Sequence, residues 1–187
     1  MRLILASNSP RRQELIRECG FPVEIIVSDY DEVSFSADPF ITSVEFAKGK
    51  AQRVFALQQD KNICVVGADT VVYNQGVILN KPKNNLEATK MLEFLSGKTH
   101  KVITGYCVKS AFAEESGFVQ TLVTFNNLSK NLIEEYVKSG LYKGKSGSYG
   151  IQDPFPLVKS YEGSINNVIG LPTEVLFPII KKFMSKI

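Results

Sequence analysis

Histidine is nearly missing from this 187-residue sequence: His100 is its one copy. A serine hydrolase needs a base beside its nucleophile. One histidine, with no Gly-x-Ser-x-Gly elbow, argues against that chemistry and reads better as a structural residue. Cysteine is scarce too. Cys19, Cys64 and Cys107 are odd in number and scattered, so they form no zinc-ligand spacing and read as reduced, mostly buried thiols of a cytosolic protein. No apolar run reaches membrane length, and Met1–Ala6 is too short for a signal peptide, so the expected location is the cytoplasm, without a membrane partner. There is no Lys/Arg tract, and a net charge of +3 does not call for a stable nucleic-acid complex. Internal repeats, low-complexity tracts and clear linkers are also lacking. A P-loop is excluded: Gly144-Lys145-Ser146 would need glycine at position 139, which is Ser139, and a following helix.

What is present is ordinary for a soluble globular protein, with 44% hydrophobic and 22% charged residues. The length suits one domain, 1–187, or two small lobes sharing a core, and should bury roughly 70% of the unfolded surface. Leu3-Ile4-Leu5 reads as a buried strand, and a helix follows with Ser9 as its cap and Pro10 as its first residue. Small polar residues at such a corner leave backbone N–H groups at the positive end of a helix, and Arg11 and Arg12 add charge. The corner suits an anion, phosphate above all, although an ordinary turn with solvated arginines has the same look.

Further along, Val23–Val27 reads as a strand running into the acidic stretch Asp29-Tyr30-Asp31-Glu32. Residues 39–58 read as a helix capped by Asp38, with Ile41, Val44, Ala47, Ala51, Val54 and Phe55 on its apolar face and Lys48 and Lys50 off that stripe. Ile63–Val66 reads as a strand closed by Gly67-Ala68-Asp69-Thr70, followed by Val71–Tyr73 and a hairpin at Asn74-Gln75-Gly76. Helices are expected over 86–95, closed by Gly97, and over 130–138, capped by Ser129, ended by Gly140 and carrying a Glu134–Lys138 pair. Strands are expected over 100–108, 118–125 and 156–161, with a turn at 113–117 and a glycine-rich loop at 141–152. A last helix opens at Gly170-Leu171-Pro172, and Pro178 should kink or break it.

Acids and bases collect at element ends: Arg11, Arg12, Glu32, Lys50, Asp69 and Lys81. The bases suit a polyphosphate. The acids would repel one, at about 4 kcal/mol for unit charges 4 Å apart at an effective dielectric of 20. A divalent ion between them removes the clash, so this set favours metal-assisted phosphoryl chemistry. Spacing alone does not bring the residues together.

Taken in order, Ser7-Asn8-Ser9-Pro10-Arg11-Arg12, Gly67-Ala68-Asp69-Thr70-Val71, Lys81-Pro82, Leu95-Ser96-Gly97 with His100, Tyr149-Gly150-Ile151-Gln152 and Val168-Ile169-Gly170-Leu171-Pro172 resemble the Maf family of nucleotide pyrophosphatases. The resemblance implies an α/β fold: a two-lobed mixed sheet flanked by helices, related to inosine-triphosphatase-type enzymes, with the active-site cleft between the lobes. It implies hydrolysis of a nucleoside triphosphate to the monophosphate and pyrophosphate with a divalent cation, magnesium or manganese, in a homodimer. Ser-Pro-Arg-Arg, Gly-Ala-Asp-Thr and Tyr-Gly-Ile-Gln are similar to the branch acting on dTTP and UTP, and differ from the 7-methyl-GTP branch.

By that resemblance Asp69 is the proton acceptor. Arg11, Thr70 and Gln152 select the base, Ser7, Ser9 and Arg12 bind phosphate, and Glu32, Lys50 and Lys81 match metal- and phosphate-handling positions. Glu32 and Asp69 are then the metal ligands. Gln152 offers a donor and an acceptor, matching the O4/N3–H edge of a pyrimidine. The sequence departs from the family at Asn80, at Gly144-Lys145-Ser146-Gly147-Ser148-Tyr149 and at Asp153, where glycine is usual. The alternatives are a non-catalytic nucleotide-binding regulator, for instance of cell division, and a broad triphosphatase releasing the γ-phosphate. The substrate that the resemblance implies is a pyrimidine nucleotide, normal or modified.

Overall fold

A computed structural model describes residues 1–33 and 36–185. It is an α/β protein with a mixed seven-stranded sheet. In chain order the elements are β1 (Arg2–Leu5), α1 (Pro10–Ile16), β2 (Val23–Ile25), α2 (Pro39–Leu57), β3 (Ile63–Asn74), β4 (Val77–Leu79), α3 (Asn85–Leu95), β5 (Thr99–Lys109), β6 (Glu114–Phe125), α4 (Lys130–Ser139), β7 (Val158–Glu162), α5 (Ile165–Ile169) and α6 (Thr173–Met184). The sheet order is β2-β1-β3-β5-β6-β7, with β4 paired to β3. The β1 strand runs parallel to β2 and β3, with Leu3 opposite Val23 and Cys64, while β4 and β7 pair antiparallel.

The chain divides into two compact units. The first holds Met1–Asp69, Thr104–Val119 and Gly170–Ile187, and the second holds Thr70–Ile103 and Gln120–Ile169. In the first unit Ile4, Ala6, Ala47, Ala51, Val54, Ile63, Val65 and Cys107 form a buried cluster. The second is built on Val72, Leu79, Leu92, Leu95, Phe125, Tyr136, Tyr149 and Leu157. Each fully buried Leu, Ile or Phe contributes roughly 1.5–3 kcal/mol. Burial pushes the Cys64 and Cys107 thiols up to about 12, so both are inert. Among the described residues, no helix is long and apolar enough to cross a membrane.

Local signals placed most caps correctly. Ser9 accepts from the Arg12 N–H, Asp38 from Phe40 and Ile41, and Ser129 from Leu132. Gly140 and Gly97 take positive φ after α4 and α3, and Gln75-Gly76 forms the β3–β4 turn with positive φ at both residues.

Four expectations change. The first strand of the Gly67-Ala68-Asp69-Thr70 region does not stop there: β3 runs unbroken for 12 residues. The turn expected at 113–117 lies earlier, where Ser110 N–H donates to the Ala113 carbonyl, and Glu114–Gly117 belong to β6. The α6 helix continues through Pro178, because Leu176, Ile179, Ile180 and Phe183 bury its apolar face. Glu134 pairs with Lys130 at 3.9 Å, rather than with Lys138. Helix α5 had no signal that the sequence reading used.

Candidate active site

Helix α2 carries the base of the site, and its packing explains how. An isolated glycine in a strand often marks a close backbone approach. A Cβ on Gly67 would lie 2.2 Å from the Ala47 carbonyl oxygen of α2, and one on Gly105 would lie 2.1 Å from that of Ser43. The helix therefore rests almost directly on the sheet backbone. The buried face of α2 includes Thr42, Ser43 and Lys50, while Ile41 is 49% exposed. That corrects the apolar stripe read from the sequence: Lys50 stands on the buried face, at 9% exposure.

Its ammonium lies between two carboxylates. Lys50 Nζ donates to Asp69 Oδ1 at 2.6 Å and meets Glu32 Oε1 at 2.7 Å. The Lys50 and Asp69 side chains are nearly buried, and that of Glu32 is half-exposed. One ammonium shared by two acids leaves the group net negative. A buried pair of this kind is weak evidence for stability.

Glu32 reaches Lys50 because its loop is fastened to α2. Arg53 grips Asp29 with two hydrogen bonds, at 2.7 and 2.9 Å, and holds that carboxyl below its ordinary pKa. The ring of Tyr30 lies against Gly49, where a Cβ would come within 2.2 Å of it. The sequence pattern gives Arg53 and Gly49 no part in this assembly, and it reads Gly67 as the close of a strand beside Asp69. The available signal was a glycine inside a strong helical pattern, which costs about 1 kcal/mol and calls for a packing reason.

The strand-to-helix corner at Ser7–Arg12 closes on itself. Ser7 Oγ accepts from the Ser9 N–H at 3.2 Å, and Ser9 Oγ from the Arg12 N–H at 3.5 Å. Arg12 reaches backward: Nε donates to the Gly170 carbonyl at 2.8 Å and Nη1 to that of Ala68 at 2.9 Å. It thus fixes the residue just before Asp69. Burial lowers the pKa of Arg12, and the nearby Asp69 charge opposes that.

Thr70, Lys81 and Gln152 belong to the second unit. Thr70 follows Asp69 on β3, and its carbonyl accepts from Ser146 Oγ at 2.9 Å. Lys81 is exposed between β4 and α3. Gln152 is exposed on the turn closed by Asp153 N–H donating to the Gly150 carbonyl at 3.1 Å. Gly147, with φ 69, brings the glycine-rich loop against Val72, where a Cβ would be 2.9 Å from the side chain. His100 is buried: its Nε2 bonds Tyr149 Oη at 2.8 Å, its Nδ1 has no hydrogen-bond partner among the described residues, and desolvation lowers its pKa to about 4.

Glu32 and Asp69 also fit a metal. Both carboxylates meet the same cationic group, the Lys50 ammonium, and carboxylate oxygen is the donor that magnesium and manganese prefer. Among the described residues, no group of three or more His, Cys, Asp or Glu side chains forms a metal-holding cluster. A divalent ion on this pair would fill its shell with water and substrate oxygens, as magnesium commonly does.

A family model described as Maf-like protein matches residues 2–183. Several curated proteins named dTTP/UTP pyrophosphatase are similar over nearly full length. One from Pyrococcus abyssi is 42% identical over 180 residues, covering 96% of this chain and 95% of the relative. One from Deinococcus radiodurans is 39% identical (96% and 92% covered), and one from Bacillus pumilus 40% (97% and 96%). A solved nucleoside-triphosphatase / dITP/XTP pyrophosphatase from Mycobacterium abscessus aligns over the whole of both chains with a TM-score of 0.48 and 13% identity, a likeness too slight to argue from. With the family model matched from β1 through most of α6, and relatives near 40% identity end to end, this chain belongs to the Maf-like protein family.

Proposed function

We propose that this protein hydrolyses dTTP and UTP, or modified forms of these pyrimidine nucleotides, to the monophosphate and pyrophosphate. The observation that carries the reading is Lys50, bound at once to Asp69 and Glu32 in a chain whose relatives are named dTTP/UTP pyrophosphatase. Residues 1–187 act as a single Maf-like domain in this reading, as a homodimer in the cytoplasm. Free cysteines agree with that compartment.

The roles follow from the chemistry of each group. Asp69 takes a proton from the water that attacks the α-phosphorus. The new P–O bond forms as the α–β bridging bond breaks, and pyrophosphate leaves with the bonding pair. Lys50 holds the Asp69 carboxylate in place, and with Lys81 it balances charge on the transferring group. Ser7, Ser9 and the Arg11-Arg12 corner receive phosphate oxygens, with Arg12 anchored through its two carbonyl acceptors. Arg11, Thr70 and Gln152 select the base, Gln152 through its paired donor and acceptor. A magnesium or manganese ion held by Glu32 and Asp69 would supply charge neutralisation and a more acidic bound water.

The test is a nucleotide panel with products identified, run with and without magnesium, and repeated for dTTP in oxygen-18 water. The reading expects pyrophosphate and label in the monophosphate. Label in inorganic phosphate, with a nucleoside diphosphate as product, refutes it in favour of γ-phosphate release. Binding without turnover refutes it in favour of a regulator.

A further inference from the structure

In the second unit Asp153 is the centre of a buried polar network. Lys145 Nζ donates to Asp153 Oδ1 at 2.6 Å, and the two side chains are only 9% and 8% exposed. Tyr136 Oη, from a fully buried residue of α4, donates to Asp153 Oδ2 at 2.6 Å. The Gly150 N–H donates to the same oxygen at 3.0 Å. Asp153 in turn donates its own N–H to the Gly150 carbonyl. A Cβ on Gly150 would lie 2.6 Å from Lys145 Nζ and 2.8 Å from the carboxylate oxygens, so the turn sits directly on the ion pair. Only Ile151 and Gln152 lie between the two ends of this clamp, and Gln152 is turned to solvent.

A buried carboxylate with three donors in fixed directions is a rigid anchor, because moving any partner strands a charge. We propose that Asp153, with Lys145 and Tyr136, is the positioning device for Gln152, and thereby a determinant of base choice. This rests on the assignment of Gln152 to the base. The network holds the turn in one geometry, so that the amide meets the pyrimidine edge already oriented. Asp153 does not touch the reacting atoms.

Asp153→Asn tests it. Lys145 Nζ faces one carboxylate oxygen and the Gly150 N–H the other, and neither can accept, so either placement of the amide NH2 faces a donor, and the turn loosens. The measurement is kcat/KM for dTTP, UTP, CTP and GTP in wild type, Asp153→Asn, Gln152→Ala and the double variant. The expected result is a dTTP/CTP preference reduced a few-fold to about tenfold by Asp153→Asn, with no further reduction when Gln152 is already alanine. Tyr136→Phe removes a single donor and should move the preference the same way by less. It decides the matter if Asp153→Asn does not fold. A uniform loss on all four nucleotides, or an undiminished Asp153→Asn effect in the Gln152→Ala background, overturns the positioning role. If Gln152→Ala itself leaves the preference intact, the base assignment fails and this inference falls with it. If only Asp153→Asn and Tyr136→Phe leave it intact, the inference fails alone.

Discussion

Replacing Gly67 by alanine should damage the enzyme without touching any charged group. In a strand the change would normally help, by about 0.5–1 kcal/mol of backbone entropy. Here the added carbon meets the Ala47 carbonyl at 2.2 Å and the Ala51 nitrogen at 2.9 Å, both backbone atoms of α2. Heavy-atom contact begins near ~3.5 Å, so α2 must retreat by roughly 1 Å. Overpacking of that kind costs about 1–3 kcal/mol. The net loss of about 0–2.5 kcal/mol lowers Tm by up to roughly 10 °C for a chain of this length. The protein stays folded at 25 °C, yet Lys50, one turn beyond Ala47, moves off Asp69 together with the Glu32 loop that is fastened to α2. A misplacement on that scale costs up to about 10²-fold, so kcat/KM for dTTP should fall about 10–10²-fold in a pyrophosphate-release assay with magnesium. Gly76→Ala is the control: its φ of 86 strains the β3–β4 turn, but a Cβ there meets nothing within 4 Å. That variant should lose stability and keep its turnover. If Gly67→Ala melts lower with kcat/KM unchanged, or Gly76→Ala loses as much activity, the close approach does not set the Lys50–Asp69 geometry.

Asp69→Asn should keep the fold and lose about 10²–10⁴-fold in rate at saturating dTTP and magnesium; near-normal kcat removes Asp69 as the proton acceptor. Gln152→Ala and Thr70→Ala should lower kcat/KM on dTTP and UTP more than on CTP and GTP, by a few-fold to about tenfold, and a uniform drop would assign them to the fold or the phosphates. His100 takes its proton near 6.5 in the unfolded chain and only near 4 in the folded one, so the unfolded state gains protons first as pH falls. Stability should therefore be lost between pH 6.5 and 4, by about 3 kcal/mol from this group; in urea melts at pH 7 and pH 4.5, His100→Gln should flatten that loss, and an identical pH dependence would refute it.

The sequence reading succeeded where the cause is local. Ser9-Pro10, Asp38-Pro39 and Ser129 cap helices through hydrogen bonds within three residues, so the pattern contains the whole interaction. Asp69 and Glu32 could be singled out by residue type and position, but nothing along the chain says that they share Lys50. That sharing depends on Gly67, Gly49 and the Arg53–Asp29 grip, contacts between residues far apart in sequence. In the sequence Gly67 reads as the end of a strand, because glycine signals both a turn and a close approach, and only the packed helix distinguishes them. Lys50 reads as lying off the apolar face for a similar reason. Thr42 and Ser43 are buried beside the sheet, which shifts the true face away from the one that hydrophobicity draws. The acids Glu114 and Glu115 looked like a turn, yet they pair with Lys109 and Lys182, cations that a β-propensity argument does not consult.

The bond from Arg12 to the Gly170 carbonyl joins residues 158 positions apart. The unit that holds Lys50 and Asp69 takes its three pieces from the beginning, the middle and the end of the chain. A ribosome that has translated only as far as residue 160 has already made Arg12, Glu32, Lys50 and Asp69, but neither the Gly170 acceptor for Arg12 nor the apolar face of α6. Synthesis runs from the N-terminus at about 5–20 residues per second, so the acidic pair waits seconds for the segment that completes its surroundings. A nascent or prematurely terminated chain carries the reactive side chains without the scaffold that aligns them.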